Sequence, residues 1–218
     1  MIGSRKRKFS SKERRNQCLD MIKNGLCNLG TFLDCELDEM FIIESIRSRG
    51  YNLEFVQDVY GDDRDVALDA INQWGYAFKF LSHRLKNDKE LGMIAIQCDP
   101  LLIRIAGKDV RGDKEIVLMA IKKNPDVFKY ARVELQLNRE FILDCVKTNG
   151  KIFKVISNKM KSDKDILLGA IKTYSDALIY APVSFVNDTE VRDATIQNNP
   201  SLDVLNHIRE HLNLSDHD

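Results

Sequence analysis

The chain repeats itself every 25 residues. Windows opening at Asp38, Asp63, Asp88, Asp113, Asn138, Asp163 and Asp188 follow one another with no insertion or deletion. A period of this length leaves few folds open, because each copy touches mainly its neighbours and must bury its apolar face against them. With the opening residue as offset zero, every window starts on Asp or Asn, side chains that accept from the unpaired N–H groups of a helix start. An acid follows at offset two in all but the first window (Asp65, Glu90, Glu115, Glu140, Asp165, Glu190), where it opposes the positive end of the helix dipole.

Apolar residues recur at offsets three, four, five and eight, and offset seven is small: Ser45, Ala70, Ala95, Ala120, Cys145, Ala170 and Thr195. At helical pitch these offsets form one broad buried arc, with the small residues set for close helix approach. Cys145 is thereby read as packing. Offset twelve is a breaker (Gly50, Gly75, Pro100, Pro125, Gly150, Ser175, Pro200), often preceded by Asn or Asp. Asn–Gly suits a helix C-cap, and Asn–Pro a new N-cap with Pro at the first helical position. A second ladder at offsets fifteen, seventeen and twenty-two predicts a second helix with a buried face. The window therefore predicts two short helices of about three turns, each roughly 15 Å long and unstable alone.

The predicted fold is all-α: a right-handed α-solenoid of about eight helical hairpins. Residues 13–37 read as a degenerate N-terminal cap with Asn24–Gly25 at the breaker, 38–187 as regular repeats, and 188–212 as a C-terminal cap. Basic residues 1–12 and residues 213–218 read as disordered tails. The motif Asp-Lys-Glu-Ile-Val-Leu-x-Ala-Ile-x-x-Asn-Pro…Phe-x-Tyr-Ala, from Asp113 to Ala131, has echoes from Asp63 and Asp163. It resembles an uncharacterised helical-repeat family, a domain of unknown function whose unit of about fifty residues is similar to two of these windows. The resemblance implies a non-enzymatic array of the kind found in protists and in bacteria living inside them, and with it a possible role as a bacterial effector in host cytosol. It supplies no catalytic residues.

Charge narrows the function classes. The net charge of zero hides segregation: 79–172 carries 20 basic and 12 acidic groups, whereas 31–78 carries 3 and 11. Offset sixteen, between two apolar columns, places Lys79, Arg104, Lys129 and Lys154 in consecutive windows, and offset nine adds Lys122, Lys147 and Lys172. In stacked repeats one offset becomes one surface row, so these cations predict a basic stripe for an acidic peptide or protein. The sole tryptophan, Trp74, with nearby Tyr76, is a candidate anchor at one end. Packing on Tyr51 or Phe78 is the competing reading of Trp74. Nucleic acid or another polyanion is the alternative partner, met by the central basic segment and the Arg5–Lys8 cluster, which also suits nuclear import. Tyr51, Trp74, Tyr76 and Tyr174 lie near the inter-helix turn but do not recur in the basic windows, which argues against base-by-base readout.

Signals for chemistry are sparse. His207 and His211, four apart, lack further ligands at recognised spacing, so no metal is assigned. There is no phosphate-binding loop, dinucleotide fingerprint or nucleophile elbow, and no cofactor or catalytic residue is assigned. The five cysteines are odd in number and irregularly spaced, which points to a reducing compartment such as the cytoplasm. No apolar run approaches the roughly 20 residues of a membrane span. The favoured function is a non-catalytic scaffold binding a protein or peptide; its oligomeric state stays open.

Overall fold

The computed structural model describes residues 7–8 and 12–198. Expectations placed on 199–218, including His207 and His211, and on most of the N-terminal tail lie outside them. The described residues are all-α apart from a two-residue parallel pairing of Arg7–Lys8 with Cys35–Glu36. The chain divides into two compact units, Met1–Val110 and Arg111–Asp218.

In the first unit the long helices Lys12–Lys23, Glu39–Ser48, Arg64–Gln73 and Lys89–Cys98 pack one on the next, and so do the segments that follow them. The second unit repeats the scheme with Lys114–Lys123, Arg139–Thr148, Lys164–Ile171 and Thr189–Asn198. Every long helix from Glu39 onward begins where the period predicts. Asp63 accepts from the amides of Asp65 (3.0 Å) and Val66 (3.1 Å), and Asp88, Asp113 and Asp163 do the same. Asp38, Asn138 and Asp188 cap through the amide at offset three.

The buried arc is narrower than predicted. Offsets three, four, seven and eight are buried in the central windows, whereas offset five (Leu68, Met93, Leu118, Leu143) is half-buried. Where offset seven is polar, the hydroxyl returns to its own helix: Ser45 donates to the Phe41 carbonyl at 2.7 Å and Thr195 to that of Val191 at 2.8 Å. Ile196, at offset eight of the last described helix, is 49% exposed, unlike its buried counterparts in the central windows.

The second half of the window is not a three-turn helix. A 3-10 segment runs Gly75–Phe80, Pro100–Ile105, Pro125–Tyr130 or Ser175–Tyr180, the chain then extends, and a short turn such as Lys108–Arg111 or Val133–Gln136 follows. The break is fixed from outside. The amide at offset nineteen leaves its own helix and donates to the offset-23 carbonyl of the window before: Ser82 to Gly61 (2.8 Å), Gly107 to Lys86 (2.7 Å) and Arg132 to Arg111 (2.9 Å). At this offset the Asp163 window carries Pro182, which has no N–H and forces Ala181 out of the helical region. A 3-10 segment is also commonly short, because its hydrogen bonds are poorly aligned.

Glycine at offset twelve does something other than cap a helix. Asn149 has an extended backbone (φ −154°) and its side chain accepts from the Lys151 amide, so Asn149–Gly150 starts the next segment; Asp99 and Asn124 act likewise before proline. Gly150 is needed for closeness: a Cβ there would lie 2.3 Å from the Ala170 carbonyl oxygen of the next window, and at Gly50 it would lie 2.0 Å from that of Ala70. Only the degenerate copy uses the predicted C-cap. Gly25 has φ +75°, its amide donates to Ile22 (3.0 Å) and that of Leu26 to Met21 (2.9 Å), a Schellman motif. Buried Asn52 then ties this copy on: its amide group donates to the Ser45 carbonyl and its Oδ1 accepts from the Leu29 amide, both at 2.9 Å.

The N-cap carboxylates also bind successive windows. The cation at offset one reaches the cap and the first-turn acid of the next window: Arg64 to Asp88 and Glu90, Arg139 to Asp163 and Asp165, Lys164 to Asp188 and Glu190. Arg15 meets Asp38 from the degenerate copy. These cations, first of all, hold the carboxyls of Asp38, Asp163 and Asp188 below the usual carboxylate range.

Three outcomes follow from this packing. Gly150→Ala should destabilise the fold by about 1–3 kcal/mol through overpacking, measured by urea unfolding. Asp163→Ala should cost about 1–2 kcal/mol as a lost cap and Asp163→Asn less, because Asn138 shows that an amide caps the same position. Carboxyls lowered on folding stabilise above their unfolded value, near pH 4, and lose that contribution as pH falls through the folded value. The thermal midpoint should therefore hold from neutral pH to about pH 4 and fall below it, by a smaller step in Asp163→Asn.

Candidate functional site

Offset sixteen follows the two buried positions of the 3-10 segment, fourteen and fifteen (Ala77 and Phe78, Val127 and Phe128, Ile152 and Phe153). Pinned by that pair, the segment points its next residue outward, and Lys79, Arg104, Lys129 and Lys154 are all exposed. The first two lie in one unit and the last two in the other. Lys122 and Lys147 are exposed in the last turns of their long helices, and Lys172 directly follows its own. Offsets nine and sixteen thus mark two positions on different elements. Lys172 shares a hollow of about 420 Å³ with Glu190 and Asp193, so its surroundings are acidic.

Among the described residues, none of these seven cations pairs with a carboxylate, whereas Arg64, Arg139 and Lys164 at offset one are each committed to two. Three of the four offset-sixteen cations instead lie over aromatic rings. Lys79 Nζ is 5.4 Å from the Trp74 centroid and 4.7 Å from that of Phe80. Lys129 Nζ lies 5.1 Å from Tyr130, and Lys154 Nζ 4.9 Å from Tyr174 and 5.1 Å from Tyr180. The Tyr174 side chain, and then that of Tyr180, raise the Lys154 ammonium above its ordinary value, and burial raises the Tyr174 hydroxyl. At neutral pH the site therefore holds a cation beside the neutral Tyr174 phenol.

Three of these rings, Phe80, Tyr130 and Tyr180, sit where the sequence pattern predicts core. Offset seventeen, read above as a buried ladder, is a half-exposed rim: Phe80, Ile105 and Tyr130 are half-buried, Val155 and Tyr180 exposed. A 3-10 segment turns every three residues, so its inward face takes fewer positions than that of an α-helix. The signal for Tyr180 was legible only as an aromatic residue at offset seventeen beside Tyr174 at offset eleven, the places of Phe80 and Trp74 in the Asp63 window.

Trp74 is half-buried and packs edge-on to Tyr51 (5.6 Å between centroids), beside Tyr76 (5.7 Å) and Phe80 (6.3 Å), so the partners are Tyr51, Tyr76 and Phe80 rather than Phe78. Tyr76 is 40% exposed and its hydroxyl donates to Asp99 at 2.9 Å, which raises it above its ordinary value. Trp74 also lines a groove of about 620 Å³ with Leu26, Arg49 and Tyr51. Cys145 is fully buried, its thiol pushed up to about 12 by burial, as a packing residue should be. Among the described residues no group of three or more His, Cys, Asp or Glu is placed to hold a metal, and no helix is long and apolar enough to cross a membrane.

The fold and its periodic surface define an all-α repeat protein. The chain belongs to the family described as domain of unknown function (DUF4116), whose model matches residues 63–111, 93–136 and 138–186. The matched segments are about two windows long, the unit expected above. Searches of curated proteins and of solved structures returned no match.

Proposed function

We propose that this protein is a non-catalytic helical-repeat scaffold, its windows stacked within each unit in the manner of a right-handed α-solenoid, and that it binds an acidic segment of another protein. The observation that carries this reading is the division of labour among its cations. Arg64, Arg139 and Lys164 at offset one join windows and are neutralised by carboxylates, as is Arg47 at offset nine; Lys122, Lys147 and Lys172 at offset nine and the four cations at offset sixteen meet none. An exposed ammonium or guanidinium without a counter-charge leaves its field open to a partner of opposite sign. A reducing compartment such as the cytoplasm is the setting this reading implies, since Cys18, Cys27, Cys98 and Cys145 are free thiols.

The test is fluorescence anisotropy with a labelled oligo-glutamate peptide and, in parallel, single-stranded RNA of equal charge. The double variant Arg104→Glu with Lys129→Glu should bind the peptide at least tenfold more weakly with an unchanged circular-dichroism spectrum. Retained affinity in the variant would remove the basic row from the interface. Tighter binding of RNA than of peptide, steeply lost with salt, would replace the reading with the polyanion alternative.

A further inference from the structure

The two aromatic pairs that hold Lys79 and Lys154 occupy the same places in their windows. Trp74 and Phe80 stand at offsets eleven and seventeen of the Asp63 window, and Tyr174 and Tyr180 at offsets eleven and seventeen of the Asp163 window. Each pair has an offset-sixteen lysine over both rings: Lys79 from the same window and Lys154 from the window before. The motif therefore occurs once in each unit.

Offset eleven is where a structural residue belongs. Asp99, Asn124 and Asn149 there cap the 3-10 segment through their side chains. Trp74 and Tyr174 make no such cap. Arg49 makes none either, but it lies against Gly25, within 2.7 Å of where a Cβ would stand. An Asx cap contributes about 1 kcal/mol, so an aromatic residue in its place departs from the locally favoured choice. Such departures are expected where function sets the residue. The rings are not sealed into the core in return: Trp74, Phe80 and Tyr174 are half-buried and Tyr180 is 37% exposed.

We propose that each unit carries one aromatic–lysine clamp, Trp74–Lys79–Phe80 and Tyr174–Lys154–Tyr180, that recognises a short peptide motif in which an acidic residue adjoins an aromatic one. This rests on the scaffold reading above and specifies its partner. The ammonium, without a carboxylate of its own, takes the acidic side chain. The ring faces beside it take the apolar neighbour, by offset-stacked or edge-to-face contact. A lysine already drawn over two rings is held near where the acid must arrive, which reduces the ordering cost of binding. In the first unit the groove beside Trp74, with Leu26 and Tyr51 on its wall, adds apolar surface. A cation row alone would accept any polyanion; the clamp demands both halves of the motif.

The test is isothermal titration calorimetry of the whole chain with a synthetic peptide bearing one Glu-Phe pair between Gly-Ser flanks, and with matched Gln-Phe and Glu-Ala peptides. The expected stoichiometry is two Glu-Phe peptides per chain, with both controls at least tenfold weaker. Trp74→Asn and Tyr174→Asn restore a capping residue, and each should reduce the stoichiometry to one with a thermal midpoint no lower than that of the parent. Because Trp74 is the sole tryptophan, its fluorescence should change on titration in the parent and in Tyr174→Asn, which locates binding at the first clamp without altering it. Equal affinity for Glu-Ala would overturn the clamp and leave the basic scaffold standing. Failure of Glu-Phe to bind where oligo-glutamate binds would do the same, and failure of both would remove the scaffold reading too. Unchanged stoichiometry in both Asn variants, or a lowered midpoint with unchanged affinity, would show that the rings serve packing alone.

Discussion

No part of a window can bury its own apolar face. A ten-residue α-helix is below the length at which an isolated helix persists in water, and a six-residue 3-10 segment is weaker still. The side chains at offsets three, four, seven and eight are buried because the next long helix lies against them. Small residues at offset seven and glycine at offset twelve set the closeness of that approach. The ion pairs come second. They join the start of one window to the start of the next at partly exposed positions, where a pair contributes up to about 1 kcal/mol and loses part of that to salt.

The first half of the window was legible in the sequence because its signals are local. An Asp or Asn cap, an acid two residues on, a small residue at offset seven and aliphatic residues on one arc all act within a single helix, and the structure places them as the period predicts except that offset five lies at the edge of the arc, half-buried. The second half was not legible, because what shapes it comes from another window. The carbonyl that draws the Ser82 or Gly107 amide out of its helix stands 21 residues earlier in the chain. The carbonyl oxygen that demands glycine at position 150 belongs to Ala170. Asn–Gly has two uses, a left-handed C-cap at Asn24–Gly25 and a tight N-terminal start at Asn149–Gly150, and only the neighbouring chain decides between them.

The surface divides along the same line. The exposure of the offset-sixteen cations follows from the period, since that offset comes directly after two buried positions and faces outward. The aromatic partners of those cations were hidden by a helical reading of offset seventeen, which counted Phe80, Tyr130 and Tyr180 as core. Once the segment is recognised as 3-10, they become a rim, and the lysines stand over ring faces rather than in open solvent. The buried offsets are accounted for by stacking, so the proposed binding rests on such surface positions.

The backbone bond from offset nineteen to the preceding window has a bearing on how such a chain can change over generations. A residue added or lost within a window would move the donor away from its carbonyl and rotate every later side chain off its arc. Length can therefore vary without penalty only in complete modules, by duplicating or excising a whole cap-to-cap cassette. The tally of cassettes is then a freely adjustable quantity, while the spelling length of each is not.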